Sequence, residues 1–147
     1  MVWKPHVTVA ALIEREGKFL LIEEETDNGL ALNQPAGHLE DGETLIAAVI
    51  RETLEESAWH FAPTHLVGIY QWQVPDKERT YLRFTFTGEL RGHEAGRRLD
   101  DGIVAVHWLS LDQIRAARER LRSPLVLRGI EDYLAGKRQP LDLLVSL

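Results

Sequence analysis

Apolar residues alternate along the first part of the chain. Val7, Val9, Ala11 and Ile13 fall on one side of an extended backbone, and Thr8, Ala10 and Leu12 fall on the other. Glu16-Gly17-Lys18 reads as a tight turn into a second strand, Phe19-Leu20-Leu21-Ile22. The acidic Glu23-Glu24-Glu25 and the turn-forming Asp27-Asn28-Gly29 then predict a solvated loop, followed by a short extended piece over 32–40. Past Asp41-Gly42 the period changes from two to that of a helix: Ile46, Ile50, Thr53 and Leu54 recur as an apolar stripe. Asp41 is the expected N-cap, with Glu43 in the first turn where the helix dipole favours it.

Residues 65–74 and 81–90 are rich in β-branched and aromatic side chains and flank Pro75-Asp76-Lys77, which predicts a pair of antiparallel strands. Residues 91–102 read as a loop and 103–109 as a further strand. Ser110 and Gln113 have the spacing of a capping box, opening a helix with Ile114, Ala117 and Leu121 on one side. Ser123-Pro124 starts another helix that Gly136 closes. Strands, one embedded helix, more strands and two terminal helices predict an α/β or α+β domain with a mixed sheet. At 147 residues, 44% of them hydrophobic, a single domain over 1–147 is expected.

The embedded helix carries more than an apolar stripe. At about 100° per residue, Glu52, Glu55 and Glu56 share an arc of about 100° on the side away from that stripe. Carboxylates at such spacing repel one another, and hard oxygen ligands of this kind suit Mg²⁺ or Mn²⁺. The plain alternative is a solvated acidic helix whose glutamates pair with Arg51.

Composition narrows the choices. There is no cysteine, so disulfides, thiolate metal sites and cysteine nucleophiles are excluded. His6, His38, His60, His65, His93 and His107 lack zinc-type spacing. A net charge of −6 argues against a stable nucleic-acid partner. The N-terminal apolar run is too short for a signal segment and no stretch approaches transmembrane length, so a soluble cytoplasmic protein with no membrane partner is expected.

Gly37, Glu43, Arg51, Glu52, Glu55 and Glu56 fit the pattern Gly-x5-Glu-x7-Arg-Glu-U-x-Glu-Glu-x-Gly-U, where U is bulky and apolar. This is the Nudix signature, and the chain resembles that family, with Thr53 in place of an apolar residue and Ala58 in place of the final glycine. The resemblance implies an α/β/α sandwich with a central mixed β-sheet, the signature forming a loop-helix-loop beside it. KPHVTVA, LNQPAGHLE, QW with VPDK and YLRF, and RSPLV with a later GKRQPL are similar to the phosphatase NudJ subgroup. That likeness implies hydrolysis of phosphoanhydrides in nucleoside di- and triphosphates and thiamine-type pyrophosphates. Other Nudix substrates (an oxidised nucleotide, a sugar nucleotide, a dinucleotide) and a non-catalytic Nudix-like ligand sensor are the alternatives, and a calcium module lacks its twelve-residue loop.

On the resemblance, Glu55 and Glu56 are the principal metal ligands, Glu52 holds a second metal or its water, and the Gly37 carbonyl joins them. Arg51 orients a glutamate. Asp100 or Asp101 supplies the general base, with Glu52 as rival and an Asp-Asp-Gly turn as the bland reading. Lys77 and Arg83 are candidates for phosphate and Trp72 and Tyr81 for stacking a ring, against solvated and core positions respectively. Arg115, Arg118, Arg120, Arg122 and Arg128 read as a solvated basic face. The tail Leu141-Asp142-Leu143-Leu144-Val145 covers the domain or binds a second copy, so the expected state is a monomer or homodimer.

Overall fold

The first strand, β1 (His6–Ala11), is buried from both sides: Thr8, Val9, Ala10 and Ala11 are all 7% exposed or less. The reason lies in what alternate residues meet. Val9, Ala11 and Ile13 enter a core with Leu20, Ala48, Val49, Phe61, Leu66 and Phe86, whereas Leu12 enters a second with Phe19, Leu21, Leu32, Ile114, Val126 and Ile130. The computed structural model describes residues 1–147.

Two sheets result. After β2 (Glu14–Arg15), β3 (Lys18–Thr26) and β4 (Gly29–Asn33) come β5 (Ala36–His38), α1 (Leu45–Ser57), β6 (Trp59–Gln73), β7 (Thr80–His93) and β8 (Ile103–Ser110). Then follow α2 (Leu111–Ala116), α3 (Pro124–Leu134) and the two-residue β9 (Gln139–Pro140). A mixed sheet has the order β5-β1-β7-β6-β9, with β1 parallel to β7 and its other pairs antiparallel. A second, antiparallel sheet holds β2, β3, β4 and β8 around β3. The architecture is the expected α/β class with a mixed sheet, and the second sheet is an addition to that expectation.

Several boundaries move. Glu23, Glu24 and Glu25 lie inside β3, because pairing with β4 and β8 on its two edges continues past the apolar run. β6 starts directly after α1, six residues before 65, and β7 runs on to His93. The N-cap of α1 is Thr44, whose Oγ1 accepts from Ala47 N at 3.0 Å, while Asp41 lies in the preceding turn. Ala58 ends the helix in the left-handed region, φ 64°, with its N–H donating to Leu54 O at 2.9 Å. An alanine there costs about 1–2 kcal/mol of backbone strain that glycine would avoid. The apolar stripe is rotated from the expected one: Ala48, Val49, Glu52, Thr53 and Glu56 are buried, while Ile50 is exposed. Thr53 is accommodated by bonding its hydroxyl to Val49 O at 2.7 Å. The capping box of α2 and the Ser123 cap of α3 form as read, and Gly136 adopts φ 86° beyond α3.

Candidate active site

Rotation of α1 toward the core determines the site. Two of its three glutamates are pressed into the protein rather than held in water. Glu52 is 9% and Glu56 7% exposed, and burial pushes their carboxyls up to about 7 and about 9, with neighbouring acidic groups adding to the shift. For Glu52 the guanidinium of Arg51 opposes this, and for Glu56 the Ala36 N–H does, donating to Oε1 at 2.8 Å.

Arg51 acts as the clamp of the site. Its Nε and Nη2 donate to the two oxygens of Glu43 at 2.7 and 2.9 Å, and Nη2 also reaches His38 O at 3.1 Å. Nη1 donates to Oε1 of both Glu52, at 2.8 Å, and Glu55, at 2.7 Å. The signature's spacing thus has a physical reason: Glu43 anchors one side of a planar fork, and the fork aligns two carboxylates with the other. The Oε2 atoms of Glu52 and Glu55 make no hydrogen bond to the protein.

Asp100 meets them from the loop before β8. Its N–H donates to Glu55 O at 3.0 Å and its carbonyl accepts from Ile103 N, which seats the loop on the end of α1. Carboxylate oxygens of Glu52, Glu55 and Asp100 lie within 4.8 Å of one another. Burial, with Glu55 beside it, raises the Asp100 carboxyl. Gly37 completes the arrangement: a Cβ there would lie 2.2 Å from the Glu52 carboxyl carbon, so the carboxylate rests against a bare Cα.

This donor set fits a hard divalent cation. Three acidic groups converge with unbonded oxygens, the proton affinities of Glu52 and Asp100 are raised, and one guanidinium does not balance the charge. Glu56 stands just outside the trio with Oε1 on Ala36 N.

The other expected residues divide. Asp101 is exposed and meets only Arg98, at 3.3 Å, so Asp100 alone of the pair faces the glutamates. Lys77 sits on the exposed turn at the tip of the β6–β7 hairpin, where its N–H donates to Val74 O, and does not join the carboxylates. Trp72 and Tyr81 stack at 6.0 Å and 17° between ring planes, both half-buried. Tyr81 continues into His6 and His38, which lie 3.1 Å apart between Nδ1 and Nε2, so an aromatic row begins one residue from Gly37.

Arg83 is not a solvent-facing phosphate ligand. It is 4% exposed, and its Nη2 donates to Gln34 Oε1 at 2.6 Å while Nη1 and Nη2 reach Asn33 Oδ1 at 3.3 and 3.4 Å. Burial pulls it down to about 10 against the opposing pull of Tyr70, Glu24 and Glu56. Its Nε and the neighbouring Thr85 Oγ1 are buried without a protein partner. Asn33 and Gln34 were missed from the sequence, although two amides ending an apolar strand just before Pro35-Ala36-Gly37 were the available signal.

Beyond Arg83, a cavity of about 470 Å³ separates β6 from α3, lined among others by Tyr70, Trp72, Leu125, Arg128, Asp132 and Lys137. Asp132 ties it together, accepting from Tyr70 Oη at 2.7 Å, Arg128 Nε at 3.1 Å and Lys137 Nζ at 3.1 Å. Among the arginines read as one basic face, Arg120 pairs with Glu23, Arg122 lies 3.8 Å from Glu24 and Arg128 holds Asp132. No helix is long and apolar enough to cross a membrane.

The chain is similar to known proteins in both sequence and fold. The family model described as NUDIX domain matches residues 4–128. Phosphatase NudJ of Escherichia coli is 46% identical over 143 residues, which cover 97% of this chain and 92% of that protein. The structure of a NUDIX hydrolase from Nitrosomonas europaea superposes with a TM-score of 0.95 at 52% identity, covering 98% of each chain. The NUDIX domain of Shewanella oneidensis NrtR, complexed with ADP ribose, shares the fold alone, with TM-score 0.72, 17% identity, and coverage of 92% of this chain and 90% of that one.

Proposed function

Because this chain belongs to the Nudix family and is a hydrolase of phosphoanhydrides, we propose that it is a metal-dependent, NudJ-like phosphatase acting on nucleoside di- and triphosphates and thiamine-type pyrophosphates. The observation that carries the reading is the convergence of Glu52, Glu55 and Asp100 beside Gly37, next to a row of flat rings.

In this reading Glu52, Glu55 and Asp100 hold Mg²⁺ or Mn²⁺, with Glu56 and the Gly37 carbonyl adjoining. Such an ion would supply positive charge that offsets the negative charge developing on the phosphates during displacement. The chain's own groups do the rest. Arg51 keeps Glu52 and Glu55 aligned. Glu52 and Asp100 are the rival candidates for taking the proton of the attacking water, both lying in the carboxylate cluster. The Trp72–Tyr81 stack offers a face to a heteroaromatic ring. A site that grips the shared pyrophosphate and stacks the ring reads little of the ring's edge, so breadth of substrate is expected. The compartment assigned is the cytoplasm, and the working unit a monomer or homodimer.

The test is a screen of nucleotides, thiamine pyrophosphate, sugar nucleotides and dinucleoside polyphosphates with Mg²⁺, Mn²⁺ or EDTA, resolving phosphate from pyrophosphate among the products. Phosphate release that needs the metal supports the proposal. Cleavage of dinucleotides alone into mononucleotides would reject the NudJ-like reading and keep the Nudix one, and binding without turnover would point to a sensor. Glu55→Gln and Glu56→Gln are expected to fold and to lose turnover by about two orders of magnitude or more, since an amide cannot neutralise a cation as a carboxylate does. Near-normal rates in both variants at saturating Mg²⁺ would remove these residues from the ligand set.

A further inference from the structure

The segment 33–37 is what brings backbone to the carboxylates. Ala36 N–H bonds Glu56, and the bare Cα of Gly37 supports Glu52. Strand pairing holds its ends, Asn33 against Ile22 of β3 and Ala36 and Gly37 against Ala10 and Val9 of β1, and side-chain contacts hold its middle. Pro35 O accepts from Ala11 N at 2.9 Å, Gln34 Nε2 donates to Val126 O at 3.0 Å, and the amide oxygens of Asn33 and Gln34 both rest on Arg83. Gln34 is 1% and Asn33 9% exposed, so no solvent replaces the guanidinium if it is removed.

We propose that Arg83 is a positioning residue for the hydrolytic centre: from β7 it fixes Asn33 and Gln34, and through them the placement of Ala36 against Glu56 and of Gly37 against Glu52. The assignment rests on the proposed metal-dependent hydrolysis for its kinetic readout. Its geometry calls for arginine specifically, because two nitrogens of one planar fork serve two amide oxygens, whereas a lysine is a single point of charge. The guanidinium is 4% exposed, and the role assigned to it is to hold the carboxylates' surroundings still.

The experiment compares Arg83→Met, Arg83→Lys and Gln34→Met with the wild type, after circular dichroism has checked the fold. It measures kcat and KM for thiamine pyrophosphate, and Mn²⁺ affinity from the loss of the free-ion EPR signal. Arg83→Met is expected to lower kcat and Mn²⁺ affinity by roughly 10- to 100-fold at little-changed KM, as loss of the groups that orient ligands generally does. Arg83→Lys should recover part of the loss. Gln34→Met should reproduce it, and the double variant should be no worse than either single one, since both residues act along one path. A folded Arg83→Met protein with raised KM and wild-type kcat would overturn the proposal by making Arg83 a substrate contact. Unchanged kcat and Mn²⁺ affinity would overturn it equally. If Arg83→Met fails to fold, Arg83→Lys and Gln34→Met, which keep the buried cation, decide by the same readouts. Should the wild type turn over no pyrophosphate, the functional reading fails, while the Mn²⁺ affinities still decide the role of Arg83.

Discussion

Asp100 and Asp101 are neighbours in sequence and occupy different worlds. Asp100 shares the carboxylate cluster with Glu52 and Glu55, whereas Asp101 is solvated beside Arg98. Asp100→Asn should therefore lower kcat by about tenfold or more with KM little changed, and Asp101→Asn should leave both within about twofold; steady-state kinetics on the two variants checks this, and equal effects would contradict the assignment. Glu56 supports a prediction about pH. In the cation-free protein its folded carboxyl titrates at about 9, and the unfolded one at the ordinary value of 4.5. Between those values the folded state binds the extra proton, so its stability is fully present below about 4.5 and declines as pH rises toward 9. Glu52 acts with the same sign up to about 7. Melting temperatures in EDTA should accordingly fall over roughly pH 6 to 8, less so for Glu56→Gln, and divalent metal should reverse the trend. A wild-type melting temperature flat across that window would refute the account. Neither difference was legible in the sequence, since a run of like residues does not announce which member is buried.

At the scale of elements, legibility followed local chemistry. The capping box at Ser110, the Ser123-Pro124 start and the paired strands around Pro75 are local signals; both caps form at the residues read, and the strands pair as read but extend back to Trp59 and on to His93. The N-cap of α1 went to Thr44 because Asp41 lies a turn too early, with Glu43 drawn off to hold Arg51. Thr44→Ala should cost about 1 kcal/mol of stability, and Asp41→Ala much less, with kcat little changed in both; urea melts measure the difference, and the reverse order would return the cap to Asp41. The acidic stretch of β3 reads locally as a loop because the side-chain partners of Glu23 and Glu24 are distant in sequence. His107 and Arg120 hold Glu23, Arg122 lies near Glu24, and strand pairing on two edges outweighs their low β-propensity. The orientation of α1 was similarly hidden: an apolar stripe through Ile50 is sound periodicity, yet Arg51 and Gly37 receive Glu52, and the Ala36 N–H receives Glu56, so that both turn inward instead.

For the whole molecule, the signature and its flanks disclosed the family, the class of fold and the helix whose glutamates meet Asp100, whereas the division into two sheets and the interior place of Arg83 depend on contacts that no local window contains. The same nonlocality bears on how the protein comes together in time. β6 and β7 are neighbours in the chain and zip across a short turn, but β1 lies parallel to β7, with Thr8 opposite Arg83, and cannot pair until most of the chain has been made. The hairpin is thus the natural nucleus, and β1 a late arrival whose loop-closure entropy is met only at the end. Stopped-flow measurements should find that Val9→Ala mainly speeds unfolding while Phe84→Leu slows folding; the opposite partition would place β1 in the nucleus. Since β5 is held to the sheet only through β1, and β5 carries Gly37, a chain caught before that last docking has its glutamates but no surface to set them against. Activity regained during refolding should then lag behind the recovery of strand structure, and a nascent chain still short of that step is a folded hairpin without a catalyst.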